Sequence, residues 1–474
     1  MPTPPVTQPA TAETTVARRW IKMRCPRLPP RLSGELFATT LSFGVLSIIK
    51  LVSSVILTRI LYPEAYGIVL MLSSLMFTIE MLSDVGIMVS MIRSSRGDDP
   101  RFINTLWTIR LIRSVINFVI FFVCAPYVAA WYETPALTEA LRAVSIFFIV
   151  AGLESMSFTL AVRHRRSRIV TYTELFSTAV TTVFVILYSQ HSRDHFGMIY
   201  GVVLNRTIST VMSYGFSREH RHRLLIDRDA CRELFGFSKY VMPSSIITLI
   251  STQFDKVIFL KLFDLSLLGL YGLAGSVVGP IEGLVWKISR FVLFPRCAEY
   301  FRSDPATVRV RYYRENVRLF AAMSLLPALA GGSAELLVRL LYDSRYAYAA
   351  VIIQAFAVRA VVLSLASPME DLLVASGRTH VQLIGNVMRV AWLIPAVLLG
   401  YHLFGFVGFI YFGVLEMLPA LLYYSWLLRR MSLLDFRFEA AKLGAAVLLF
   451  GLAWWVSRKL LDSGLTLQHL RAVF

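Results

Sequence analysis

Long apolar segments follow one another along almost the whole chain, and they constrain the fold more than any other feature. Because backbone polar groups in lipid must be satisfied internally, an apolar run of about 20 residues crosses a bilayer as a helix. We predict an all-α membrane protein with twelve spans, at 34–58, 66–91, 104–127, 139–162, 170–189, 195–216, 235–261, 266–294, 313–331, 346–374, 380–400 and 403–427. A thirteenth candidate segment lies at 438–457, and the gaps between segments are too short for an inserted soluble domain.

The composition excludes several other classes of protein. Of the 474 residues, 56% are hydrophobic and 16% are charged, whereas a soluble domain carries about 25% charged residues. A cytosolic enzyme, a disordered chain and a disulfide-stapled secreted domain are therefore excluded. The four cysteines show no zinc-ligand spacing, so we expect reduced thiols, no metal and no cofactor.

The net charge of +18 indicates membrane topology and not nucleic-acid binding. The basic residues cluster in alternate gaps between the apolar runs, as positive residues do on the cytoplasmic side of a membrane. This pattern predicts a cytoplasmic N-terminus and twelve spans with both ends inside, with membrane lipids as partners. The thirteenth segment fits less well because it would place Arg458 and Lys459 outside, so it is either a peripheral helix or a late span.

The sequence repeats itself at an offset of 202 positions. This offset places Arg59-Ile60-Leu61 on Lys261-Leu262-Phe263, Gly67 on Gly269, and Glu80 on Glu282. Six spans per repeat is an even number, so both copies enter the membrane from the same side and form parallel repeats. We predict two six-helix lobes, related by a pseudo-twofold axis, around a central transporter cavity.

Five regions follow from this reading. They are a basic, Pro/Thr-rich cytoplasmic tail at 1–33, predicted to be disordered, a first half at 34–217 and a cytoplasmic linker at 218–234. The second half occupies 235–430, and an extra C-terminal helix and tail occupy 431–474.

Ionisable side chains deep within the spans are costly, so each needs a partner, water or a function. Arginine suits phosphate because its planar fork binds two oxygens at once. The cationic candidates for an anion-binding cavity are Lys50, Arg110, Arg113, Arg318, Arg359 and Arg389. The carboxylate candidates, for ion coupling or as counter-ions, are Glu80, Asp84, Glu154, Asp255, Glu282 and Glu416. Asp255 and Lys256 are adjacent, so on a helix they point about 100° apart and need different partners.

Short motifs in the first half resemble a known family. Arg59-Ile60-Leu61-Tyr62-Pro63-Glu64-Ala65-Tyr66-Gly67 resembles the turn between the first two helices of Wzx-type polysaccharide flippases. These flippases belong to the multidrug/oligosaccharidyl-lipid/polysaccharide (MOP) exporter superfamily, which also contains the MATE transporters. Ser83-Asp84-Val85-Gly86-Ile87, Asn104-Thr105-Leu106-Trp107-Thr108 and Phe237-Ser238-Lys239-Tyr240 are similar to stretches of that family. The likeness covers about 34–430, and the C-terminus departs from the twelve or fourteen helices usual there.

The resemblance implies a fold, a cargo and a location. The fold is a pair of six-helix bundles in the bacterial inner membrane. The task is translocation of undecaprenyl-diphosphate-linked oligosaccharide for O-antigen, exopolysaccharide or capsule synthesis, alongside polysaccharide polymerase or export machinery. Such proteins are not enzymes, and the sequence contains no Gly-rich phosphate loop of the kind that an ATPase requires.

Two alternatives stay open at this point. A proton- or sodium-coupled multidrug antiporter of the same superfamily would need a net acidic cavity for a cationic substrate. A membrane glycan polymerase or ligase would need a sizeable outer loop, and the predicted outer gaps are short.

Overall fold

The computed structural model describes residues 30–164, 166, 168–215, 222–378 and 380–462. Apart from short turns and single-turn 3₁₀ or π segments, these residues form α-helices. The helices of the first half are α1 (Pro30–Ile60), α2 (Pro63–Leu82), α3 (Ile87–Arg93), α4 (Pro100–Trp131), α5 (Ala136–Leu153), α6 (Ser157–Arg163), α7 (Arg168–Ser192) and α8 (Phe196–Gly215). The remaining helices are α9 (Arg228–Leu262), α10 (Leu265–Lys287), α11 (Phe294–Ser303), α12 (Val308–Phe320), α13 (Leu326–Gly332), α14 (Ala334–Leu341), α15 (Ala349–Ala375), α16 (His380–Val414), α17 (Leu418–Arg430) and α18 (Phe436–Asp462).

The apolar helices define a multi-span membrane protein. Within the described residues, nine helical stretches are long and apolar enough to cross a membrane, or ten if a pair bent by 64° at Ser333 counts as one span. Every predicted segment coincides with helical residues, although the helices do not always end where the hydropathy pattern ends. For example, the boundary predicted near residue 400 is a kink inside α16, at Gly405 with φ +59°.

Two predicted spans are broken, which corrects the expectation of continuous helices at 66–91 and 139–162. The first is interrupted between α2 and α3, where Gly86 has φ +72° and its N–H donates to Asp84 Oδ1 over 2.9 Å. The second is interrupted between α5 and α6, with Glu154 at the end of α5. Hydropathy averaged over a whole span does not reveal these breaks, because each polar stretch, such as Ser83-Asp84 or Glu154-Ser155, is short and lies between long apolar runs. Each break carries one of the candidate carboxylates.

The helices α2 and α10, which occupy equivalent positions in the two sequence repeats, cross backbone against backbone. A Cβ built on Gly67 would lie 2.1 Å from the carbonyl oxygen of Leu265, and one built on Gly269 would lie 1.8 Å from that of Pro63. The offset of 202 that relates Gly67 to Gly269 also relates Pro63 to Leu265. This reciprocal contact, in which equivalent residues exchange roles, is the kind of contact that a twofold axis produces.

The main apolar core surrounds this crossing. Buried side chains of α2, α5, α10 and α15 join it, among them Met71, Phe148, Leu273 and Ile353. Nearby, Arg345 and Tyr346 of the second half donate hydrogen bonds to carbonyl oxygens at the end of α1, including a 3.0 Å bond from Tyr346 Oη to Leu61. The two halves are therefore packed tightly at the end of the bundle where the α1–α2 turn lies.

The connection between the halves lies along the start of α4. Backbone N–H groups of Arg223, Leu225 and Asp227 donate to the side chains of Asn104, Thr108 and Thr105, at 3.0–3.1 Å. The ring of Trp107 stacks on His222, with centroids 5.1 Å apart. The Asn104–Thr108 motif therefore has a physical role, since its polar side chains satisfy an extended segment that has no helix to bond to.

The C-terminal helix α18 is a full-length apolar helix packed on the second half. Phe450 and Ala453 contact Gly331 and Gly332 so closely that a Cβ on either glycine would overlap them. Lys442 is 3% exposed and donates to Asn316 Oδ1 (3.2 Å) and to the carbonyl of Ser364 (3.0 Å). A buried polar network thus fixes α18 to α12 and α15, and α18 is among the helices long and apolar enough to cross a membrane.

Candidate functional site

A cavity of about 580 Å³ lies among the spans. It is lined mainly by α9, α10, α15 and α16 of the second half, and α2 of the first half contributes Leu70. We expected the cavity to lie between two lobes. That expectation is only partly met, because α2 and α10 pack directly against each other where the two lobes would meet. Aromatic rings line the wall together with four charged side chains: Tyr271, Phe356 and Phe409, and Lys256, Glu282, Arg359 and Glu416.

Glu282 and Arg359 form a two-pronged ion pair on the cavity wall. Arg359 donates from Nε to Glu282 Oε1 over 2.8 Å and from Nη2 to Oε2 over 3.0 Å. Its guanidinium also lies over the ring of Phe356, 4.5 Å from the centroid. This geometry holds both charges rigidly, so the pair presents an oriented dipole to the cavity and not an isolated cation.

Glu416 is positioned by a break between two helices. It lies in the single 3₁₀ turn that joins α16 to α17 and accepts a 2.9 Å hydrogen bond from Nη2 of Arg389, which lies earlier in α16. The carboxylate lines the cavity, while the arginine approaches it from the α16 side. Two carboxylates of the cavity are thus each neutralised by a neighbouring arginine.

Lys256 differs from Arg359, the other cation that lines the cavity. Its Nζ donates to the carbonyl oxygen of Thr252 over 3.1 Å and to Gln253 Oε1 over 3.2 Å, both neutral acceptors. In the described part of the chain it forms no ion pair with a carboxylate side chain. Sequence reasoning noted Lys256 only as the neighbour of Asp255 and did not select it. Lys256 lies one helical turn after Gln253 on the same helix, and that spacing was the sequence signal that could have identified it.

A second group of charges, the first-half cluster, consists of Glu80, Asp84, Arg110, Arg113, Glu154 and Arg206. Arg110 and Arg206 both donate to Glu154, the latter over 3.1 Å, and Arg113 lies 3.7 Å from Asp84. The arginine charges also act on Glu80, although its carboxylate forms no hydrogen bond to another described side chain. The cluster therefore balances three cations against three carboxylates. Arg206 escaped the sequence analysis, although an arginine midway along the predicted span 195–216 could have indicated it.

The remaining candidates lie elsewhere. Lys50 is exposed on α1, and the side chain of Asp255 lies outside the described part of the structure. Arg318 donates to Glu315 over 2.9 Å, and Glu315 also accepts from Arg296. The five candidate arginines therefore each contact a carboxylate, and only Arg359 among the six predicted cations lines the cavity.

Asp371 is a further buried carboxylate that sequence reasoning missed. It is 3% exposed and accepts hydrogen bonds from Arg290 (2.8 Å) and Ser289 (2.6 Å). It lies four residues before the end of α15, on a part of that helix that is buried inside the bundle.

The helical fold, the cavity and the paired charges within the spans define a multi-span membrane protein, and its fold is similar to that of transporters of the MOP superfamily. A model of the family described as polysaccharide biosynthesis protein matches residues 56–351, so the chain belongs to that family.

Two curated relatives agree with this assignment. The chain is 21% identical over 399 residues to an uncharacterized membrane protein in the cps region of Klebsiella pneumoniae, covering 82% of this chain and 81% of the relative. It is 22% identical over 364 residues to the lipopolysaccharide biosynthesis protein WzxC of Escherichia coli (strain K12), covering 76% and 73%. The resemblance to polysaccharide flippases found in the sequence is thereby confirmed.

Solved structures support the fold. The lipid II flippase MurJ in an inward closed conformation matches with a TM-score of 0.66 at 12% identity, covering 90% of this chain and 99% of that chain. An inward-facing multidrug resistance MATE transporter of the MOP superfamily matches with a TM-score of 0.64 at 12% identity, covering 83% and 94%. The prediction of an all-helical, MATE-like fold is confirmed at this level.

Proposed function

We propose that this protein translocates an undecaprenyl-diphosphate-linked oligosaccharide repeat unit across the bacterial inner membrane for surface polysaccharide synthesis. The cargo would be an O-antigen, exopolysaccharide or capsule unit. Residues 34–217 and 235–430 would form two six-helix lobes that rock about the crossing of α2 and α10, linked by 218–234. The tail at 1–33 would lie in the cytoplasm, and polysaccharide polymerase or export machinery would receive the cargo.

The observation that carries this proposal is the lining of the cavity. It combines a cation whose described partners are neutral, Lys256, with two neutralised carboxylates and three aromatic rings. A diphosphate needs a fixed cation to leave water. The hydroxyl groups of a sugar can donate hydrogen bonds to carboxylates, and the faces of its ring can pack on aromatic side chains. Among the sequence candidates, we assign Arg359 to substrate contact and Arg389 to holding Glu416.

The remaining sequence candidates receive subsidiary roles in this proposal. Glu80 is retained as the candidate for ion coupling because its charge is the least constrained of the first-half cluster. Lys50, exposed on α1, and Arg318, near the end of its span, would contact phosphate during entry and not within the cavity. Arg110 and Arg113 would hold the first half together.

The energetics fit transport without ATP. The polyprenyl chain can stay in lipid while the hydrophilic glycan passes through the protein. Outward movement of a negative charge across a membrane that is negative inside is favourable by about 2.3 kcal/mol per charge per 100 mV. The membrane potential therefore favours the proposed direction.

The decisive experiment is deletion of the gene in its source bacterium, followed by complementation. We expect lipid-linked repeat units to accumulate in the inner leaflet and surface glycan to disappear, and both defects to be reversed by the wild-type chain. Normal surface glycan in the deletion strain would contradict the proposal, provided that no second flippase gene compensates, which a double deletion checks.

The same strains discriminate the multidrug alternative. If the protein exports organic cations, the deletion would raise sensitivity to a dye such as ethidium and leave surface glycan intact. Since the carboxylates of the cavity are already paired with arginines, we expect unchanged dye sensitivity.

A further inference from the structure

A chain of hydrogen bonds leads from Lys256 on the cavity wall to Ser74 in the first half. Ser74 of α2 donates to Gln253 Oε1 over 2.8 Å, and Lys256 Nζ donates to the same oxygen over 3.2 Å. Ser74 and Gln253 are 5% and 8% exposed, respectively. One buried amide oxygen thus receives one donor from each half.

The hydrogen-bonding capacity of these groups is limited. A carbonyl oxygen has two lone pairs and an ammonium group has three N–H donors. The oxygen of Gln253 is therefore fully used by Ser74 and Lys256. The ammonium group uses two donors on Thr252 and Gln253, which leaves one donor, and Lys256 lines the cavity.

Building on the proposed function, we infer that Gln253 is a positioning residue that holds Lys256 for the diphosphate group of the cargo and makes that grip depend on contact between α2 and α9. While the two helices are packed, Ser74 fixes the amide and the amide fixes the ammonium. When the halves separate, Ser74 is withdrawn, the amide is free to rotate, and the oriented cation is lost. A ligand bound more tightly in one state than in another shifts the equilibrium between them by the same factor, so diphosphate binding and closure of the halves stabilise each other.

Binding of purified full-length protein to undecaprenyl diphosphate in detergent micelles tests this inference. We expect Lys256→Ala to weaken binding by roughly 10-fold or more and Gln253→Leu by roughly 5-fold, because a charge-assisted hydrogen bond contributes more than a neutral one. We expect Ser74→Ala to weaken it by about 2- to 5-fold, as one neutral hydrogen bond is lost. Lys261→Ala is the matched control, since Lys261 lies on the same helix and pairs with Glu133 at its end. It should bind as the wild type does.

Gln253→Glu separates positioning from a structural role. A carboxylate at 253 would hold the ammonium in an ion pair and repel phosphate, so binding should fall further than in Gln253→Leu while thermal stability is retained. If Gln253 were merely structural, Gln253→Glu would instead bind better than Gln253→Leu. Each variant is first checked for monodisperse elution, and Ser74→Ala carries the test if both Gln253 variants misfold.

Two further ligands identify which part of the cargo is recognised. Undecaprenol, which lacks phosphate, should bind without dependence on Lys256. Inorganic pyrophosphate that binds with the same dependence would support the anion site and show that phosphate alone is recognised, whereas dependence seen only with the lipid would assign recognition to the lipid headgroup. Wild-type affinity for undecaprenyl diphosphate in both Lys256→Ala and Gln253→Leu overturns the inference. Because these are binding measurements, they can fail while the deletion strain still accumulates lipid-linked units, and the reverse also holds.

Discussion

The two halves of the molecule place an equivalent glutamate in different surroundings. Glu80 and Glu282 are related by the sequence repeat, yet Glu282 is held by both prongs of Arg359 on the cavity wall. Glu80 lies in the first-half cluster, whose six members do not line the cavity. The first-half cluster gathers around two helix breaks, at Asp84 and Glu154, whereas Glu282, Arg359 and Glu416 of the second half line a cavity. Glu80 and Glu282 therefore occupy equivalent positions in the sequence repeat but have different surroundings.

The difference has an energetic side. In the first-half cluster Glu154 is shared by two arginines, so loss of one leaves the carboxylate paired. In the second half Glu282 has a single arginine partner in the described structure. An unpaired buried charge is far more costly than an unpaired exposed one. Substitutions in the two clusters should therefore differ in effect even where the sequence positions correspond.

The largest effect is expected from Arg359→Met, which leaves Glu282 without its partner. Removal of one member of a buried ion pair costs about 3–5 kcal/mol, so the protein should unfold at markedly lower temperature. The unfolding temperature is measured in detergent, with tryptophan fluorescence as the signal. The double variant Glu282→Gln/Arg359→Met should recover much of the loss. Arg110→Met should cost less than Arg359→Met, and equal losses would remove the energetic distinction between the clusters.

Glu154→Gln should come next, because two arginines lose the negative charge of their common acceptor at the break between α5 and α6. Hydrogen bonds to charged groups contribute about 1.5–3 kcal/mol, and we expect a loss of that order. Hydrogen exchange measured by mass spectrometry should show faster exchange at residues 150–160. Arg206→Met, which leaves Arg110 on Glu154, is the milder comparison, and a larger effect from it would contradict the shared-acceptor arrangement.

Gly67→Ala and Gly269→Ala should destabilise the protein to a similar extent. Each new Cβ meets a backbone carbonyl of the other helix, and overpacking of this kind costs about 1–3 kcal/mol. Gly279→Ala on α10 is the matched control, since a Cβ there has no atom within 4 Å. Thermal unfolding of all three variants measures the effect. Strongly unequal losses at Gly67 and Gly269 would argue against a twofold axis through their crossing.

The smallest effect concerns pH and the loop before α15. The backbone N–H and the side chain of Arg345 hydrogen-bond to Asp343, which lowers the pKa of that carboxyl below its ordinary value of 3.8. Because the folded-state pKa is depressed, the stabilisation is present above the unfolded pKa and is lost as pH falls through the folded pKa. We expect stability to decline slightly below pH 3.8, and Asp343→Ala to reduce that decline. Unfolding temperatures measured from pH 6 to pH 3 test this, and an unchanged pH profile would contradict it.

Much of the architecture was predictable from local signals. The apolar runs predicted the helices at every position, and the repeat predicted that Gly67 and Gly269 are equivalent. The Asp84–Gly86 stretch could be recognised as a motif, but the helix break and the left-handed Gly86 could not be inferred from hydropathy. Local patterns report the preference of a segment for lipid, and that preference does not distinguish a continuous helix from one that breaks midway.

The site itself was less predictable. Depth in the membrane selected Arg359, Glu282 and Glu416, which line the cavity of the structure. It also selected Arg110 and Arg113, which pair with carboxylates at helix breaks, and it missed Lys256 and Arg206. Depth shows that a charge needs a partner, but the partner lies on another helix far away in sequence.

The chain's sequence alone determined that it crosses the membrane many times and that it belongs with polysaccharide biosynthesis proteins, and it predicted two similar halves. Those properties follow from segment length, hydropathy and short motifs, which are local. Only the tertiary structure decided which charges neutralise each other, where the cavity lies, and that Lys256 faces it with neutral partners. The physical reason is that a charge in lipid is governed by its nearest counter-charge in space, and helix packing places that counter-charge.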